Sequence, residues 1–167
     1  ALCTASGPAT VGHDVAVYRI ANGGGILSSA TFNSSFNNND YALSAASDTT
    51  GAVWIVGTMQ TSGPIDEDTA GQKNYAFAMW KYASGLLTKT TEFFAGAGAD
   101  MGFALAIDAS NEKWVLGYSS NSANAGPDKS DLVLSRYDAA GTARVAGPFA
   151  RPAYLSKIGE GAGELVL

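Results

Sequence analysis

Residues 41–57, YALSAASDTTGAVWIVG, return sixty positions later as MGFALAIDASNEKWVLG at 101–117. The copies share Ala46/Ala106, Asp48/Asp108, Trp54/Trp114 and Gly57/Gly117 without a gap, and Asp40 and Asp100 precede them in the same register. A fixed period of this size marks a repeat architecture, in which one supersecondary unit cannot bury its apolar face alone. The fold must therefore stack similar units against one another.

Each copy reads as a hairpin. Asp48-Thr49-Thr50-Gly51 and Asp108-Ala109-Ser110-Asn111 are turn sequences: an Asp carboxylate bonds the backbone two residues on, and Gly or Asn accepts positive φ. The strand after each turn, 52–59 or 113–119, is aromatic and apolar. Val53-Trp54-Ile55-Val56 has no polar alternation, which predicts a strand covered on both faces. A third strand follows at 76–82, with counterparts at 132–137 and 16–20; Lys81, Arg136 and Arg19 fall at one place in it. Gly85, Gly141 and Gly23–Gly25 then turn the chain into a fourth, more polar strand at 86–94, 142–149 and 26–32. Thr88, Lys89, Thr90 and Glu92 suit an outer edge, where charge discourages pairing with other chains.

The expected fold is all-β, in four-stranded antiparallel blades of about 60 residues: a half blade at 14–33, blades at 41–94 and 101–149, and a tail at 151–167 starting a further blade. Residues 1–13 fall outside the repeat. A chain of 167 residues has the length of one domain. Its 20 glycines and 46% apolar residues fit a β protein with many tight turns and a core built without disulfides.

Fifteen acids against ten bases give a net charge of −5, and the bases are scattered singly. Nucleic acid and anionic membrane surfaces, which attract clustered bases, are excluded as expected partners. No apolar run reaches the ~20 residues of a membrane-spanning helix, so no membrane insertion is expected. Ala1 in place of Met points to a mature or trimmed chain. Cys3, the single cysteine, has no intrachain partner and reads as a thiol on a loose terminus, ahead of an interchain bridge or lipidation.

Residues 100–119 (DMGFALAIDASNEKWVLGYS) and 131–141 (DLVLSRYDAAG) together resemble the bacterial β-propeller repeats of the SBBP and delta-60 type. The shared pattern is Asp, a small-apolar strand, an Asp-x-x-Gly/Asn turn and an aromatic-rich strand ending in Gly. After it come Asp, an apolar strand, Lys/Arg-aromatic and a Gly turn. The likeness covers most of 14–150. It implies four-stranded blades in large exported or surface proteins of bacteria, hence an extracellular, cell-surface or periplasmic location, and it carries over no catalytic residue. Propellers close with 4–8 blades, and two units with a half unit fall short. The expectation is a partial β-propeller, with a three-sheet β-prism-like fold as the alternative.

Residues with chemistry are few. His13-Asp14 has the composition of an acid–base pair, but no G-x-S-x-G elbow supplies a nucleophile, and Asp14 matches Asp131 in the repeat. No catalytic and no cofactor-binding residue is expected. Asp66, Glu67 and Asp68 are the metal candidates, since Ca²⁺ takes several oxygen ligands. Their contiguous spacing, with no turn glycine among them, reads instead as solvated loop acids, and no cofactor is expected. Asp40, Asp100, Glu164, Asp48 and Asp108 fit turn and strand-start roles, and Trp54 and Trp114 fit packing between blades. Asn33-Ser34-Ser35 matches the N-glycosylation pattern but lies in an Asn- and Ser-rich loop. P-loop, Rossmann, CxxC, CxxCH and HExxH motifs are absent.

The functional expectation is a non-catalytic structural and interaction module. Its partners would be copies of itself or a larger protein, meeting it through the incomplete terminal blades. A carbohydrate-binding module with a glycan partner is the alternative, and a fragment of a propeller enzyme a further one.

Overall fold

The structure is a computed structural model that describes residues 2–6, 13–34, 39–60, 75–93, 100–120 and 130–151. These form eleven strands and no helix. The first sheet holds β1 (Leu2–Ser6), β2 (His13–Ile20) and β3 (Ile26–Phe32). The second holds β4 (Asp40–Ser47), β5 (Val53–Gln60), β6 (Tyr75–Ala83) and β7 (Leu86–Phe93), in that order. The third repeats it with β8 (Asp100–Ile107), β9 (Lys113–Ser120), β10 (Ser130–Tyr137) and β11 (Arg144–Arg151). All neighbours are antiparallel, and the polar fourth strands β7 and β11 stand at sheet edges.

The first sheet corrects the expected half blade. Leu2–Ser6 pairs with β2, Cys3 opposite Ala16, on the side of β2 where β5 stands beside β6 in the second sheet. Residues 2–6 therefore fill the second-strand place, and the Cys3 backbone belongs to a strand and not to a loose terminus. Beyond Arg151 the expected start of a further blade, Glu164 included, lies outside the described residues.

Register explains one shared residue that composition did not. Strand β4 carries an extra residue, Leu43, against β5, and β8 carries Phe103 against β9 at the equivalent place. Such bulges pull one backbone onto its neighbour. A Cβ at Gly57 would overlap the Tyr41 carbonyl oxygen, and one at Gly117 that of Met101. Both repeats need glycine there.

The core lies in two layers. Val15 and Val17 from the first sheet pack with Ile55, Met59, Ala78, Trp80, Tyr82 and Leu87 of the second. The other face of the second sheet brings Trp54, Val56, Phe77 and Met79 against Leu105, Val115 and Tyr137 of the third. The second sheet is thus covered on both faces, as the unbroken apolar run at 53–56 predicts. Alternate side chains of one strand serve opposite layers, Ile55 one way and Trp54 and Val56 the other.

Candidate functional site

Three places collect polar or exposed groups: the strand starts between the first and second sheets, the turn corner between the second and third, and the open face of the third.

At the strand starts, the Asn39 side-chain oxygen accepts the His13 backbone N–H at 3.0 Å and lies 2.9 Å from His13 Nδ1. The His13 ring is exposed and stacks on Tyr41, with centroids 5.6 Å apart. The sequence sets His13 beside Asp14, but the structure pairs the imidazole with the Asn39 side chain. Asn39 is held in turn by Gln60, whose side-chain oxygen accepts the Asn39 N–H at 3.1 Å.

The next residue on each strand is a carboxylate. Asp40 is wholly buried, and its Oδ2 accepts the Ser34 N–H at 2.7 Å. Burial pushes its pKa up to about 6; bonds from Ser34 and Gln60 oppose the rise, and the charge of Asp14 adds to it. Burial also raises Asp14, against the charge of His13. In the following unit Asp100 is likewise buried at the start of β8.

The turn corner is a repeated device. Asp48 Oδ1 accepts the N–H groups of Thr50 (2.9 Å) and Ala52 (3.0 Å), while Oδ2 accepts Trp54 Nε1–H at 2.8 Å. Asp108 does the same with Ser110, Glu112 and Trp114. Gly51 and Asn111 take the positive φ, at 81° and 61°. The turn role was legible in the sequence; the carboxylate's grip on the indole six residues later was not, because the strand must first fold back. Burial works to raise Asp48, but these hydrogen bonds outweigh it and hold its pKa at about 2. The buried Lys113 enters the same corner from the third sheet, bonding the Ala139 carbonyl oxygen while its ammonium lies over the Trp54 ring. Burial lowers its pKa, and the charge of Asp48 opposes the shift. Asn111 also accepts the Thr49 N–H across the sheets at 2.9 Å.

The open face is where the two tryptophans part company. Trp54 is fully buried, whereas Trp114 is partly exposed beneath Arg136, whose guanidinium lies 5.4 Å from the ring centroid. The expectation of equal packing between blades holds for Trp54 alone, because no described sheet stands beyond the third.

Asp66, Glu67 and Asp68 lie outside the described residues. Among the described residues no three side chains of His, Cys, Asp or Glu gather as metal ligands, and no helix is long and apolar enough to cross a membrane. No family model and no curated protein matches the chain.

Proposed function

We propose that the chain is a non-catalytic structural and interaction module, a partial β-propeller segment that works by assembling with copies of itself or with a larger protein. One contrast carries this reading. Trp54, Val56, Phe77 and Met79 are buried under β8, the first strand of the next sheet. Their repeat equivalents, Trp114, Leu116, Leu132 and Leu134, are each partly exposed. An apolar face built on the same plan as a covered one fits a further first strand laid across it, since repeat units gain stability from their neighbours. The described turns at 21–25, 48–52, 84–85, 108–112 and 138–143 carry no aromatic residue, which leaves the sugar-binding alternative without a stacking platform there. Location outside the cell goes with the resemblance to exported repeat proteins.

Light scattering on the 167-residue chain at micromolar concentration tests the reading. Association is expected, and Leu134→Glu on the open face should abolish it while leaving the melting temperature of the single chain unchanged. A well-folded monomer with a sharp melting transition would refute the proposal and favour a closed three-sheet fold.

A further inference from the structure

The outer face of the first sheet carries the counterparts of residues that are buried in the second. Tyr18 and Ile20 flank Arg19 as Trp80 and Tyr82 flank Lys81. Leu27 precedes the residue opposite Arg19, as Leu87 precedes the residue opposite Lys81. Trp80, Tyr82 and Leu87 are buried against Val15 and Val17 of the first sheet. Strand alternation turns Tyr18 and Ile20 the other way from Val15 and Val17, hence away from the second sheet. Ser28 bonds the Tyr82 hydroxyl across the junction, so its neighbour Leu27 also points outward. Ile20 is 45% exposed and Leu27 60%, against 8% for Tyr82 and 7% for Leu87.

The open face of the third sheet carries the other half of the same junction. Leu132 and Leu134 precede Arg136 by the spacing at which Val15 and Val17 precede Arg19, and Phe77 and Met79 precede Lys81. Inside the chain, faces of these two kinds meet only each other. Val15 and Val17 pack with Tyr82 and Leu87. Phe77 then stacks on Tyr137, the third sheet's counterpart of Ile20 and Tyr82, with ring centroids 5.8 Å apart. Both junctions run in the same direction along the stack. One end is left with the Leu132 and Leu134 face, and the other with the Ile20 and Leu27 face.

We propose that the open face of the third sheet receives the outer face of the first sheet of a second copy, head to tail, with Ile20 and Leu27 of that copy against Leu132 and Leu134. This rests on the assembly reading above and names the partner surface. The contact joins unlike faces, so each copy keeps one face of each kind until a ring closes. Among the described residues the first sheet has no first strand beside β1, whereas β4 and β8 stand in the internal junctions. The contact between copies is therefore smaller than an internal one and reverses on dilution.

Sedimentation velocity on the full chain at micromolar concentration tests this, with Ile20→Glu, Leu27→Glu, Leu134→Glu and an equimolar mixture of the first and last. Thermal melts check that each variant is folded. Each variant should associate at least ~10-fold more weakly than the parent, since a carboxylate would be buried without a partner. The mixture should associate more tightly than either of its components alone, because one contributes an intact third sheet and the other an intact first sheet. A parent that stays monomeric would overturn the assembly reading and this inference with it. An associating parent whose Ile20→Glu and Leu27→Glu variants associate equally well would overturn the head-to-tail partner alone. So would a mixture no tighter than its components.

Discussion

The Lys113 ammonium lies 3.6 Å from the centroid of the Trp54 ring, one residue in the third sheet and the other in the second. Gly141 closes on the same ring: at its φ of 69° a Cβ would overlap the indole. The Asp48 carboxylate holds the ring's N–H. A carboxylate, an ammonium and a backbone turn thus fix one indole between two sheets.

The cation–π contact should appear as coupling energy. In a double-mutant cycle of Lys113→Met and Trp54→Leu, measured by urea unfolding, the expected interaction is ~0.5–2 kcal/mol. A value under about 0.3 kcal/mol would show that the ammonium's position over the ring adds nothing to stability.

The two repeat tryptophans should behave differently. Trp54→Ala empties a fully buried site and leaves Asp48 short of a donor, so a loss of roughly 3–5 kcal/mol is expected. Trp114→Ala should cost about 1–2 kcal/mol, because its ring is already partly exposed. Equal losses in denaturant titrations would mean that the outer face is covered in solution.

Acid stability should depend on Asp48. Its folded-state pKa of about 2 lies below the ordinary 3.8, so its contribution is fully present above pH 3.8 and fades as the pH falls toward 2. Asp108 and Asp138 are lowered by similar turn bonds and act in the same direction. Asp48→Asn should therefore lose less stability than the parent between pH 4 and pH 2. An identical acid limb in the two proteins would contradict the assignment.

Position 57 tests the bulge. Gly57→Ala must displace the Tyr41 backbone and should cost more than about 2 kcal/mol in urea unfolding. Gly23→Ala meets open space and should stay within about 0.5 kcal/mol of the parent.

How far the sequence could be read depended on distance along the chain. Strand order within a unit, the Asp48 and Asp108 turns and the two-sided burial of residues 53–56 follow from short-range chemistry, and they were legible. The shared Gly57 and Gly117 were visible as a pattern, but their cause is the neighbouring bulge at Leu43 or Phe103, which only the backbone reveals. Leu2–Ser6 carries none of the repeat's Trp, Asp or Gly markers, so its strand place beside β2 was hidden. Asp14 and Asp40 each read as ordinary strand-start acids. The full burial of Asp40 depends on how two sheets pack, and no local pattern encodes that.

The double coverage of the second sheet bears on the order in which the molecule opens. Backbone amides of β5 and β6 lie inside their sheet and beneath a layer on either side, so their exchange with solvent deuterium requires a flanking sheet to leave first. The first and third sheets each shed only one interface when they detach. Loss of structure should then run from the two ends inward, with the 53–60 and 75–83 hairpin partners the last amides to exchange.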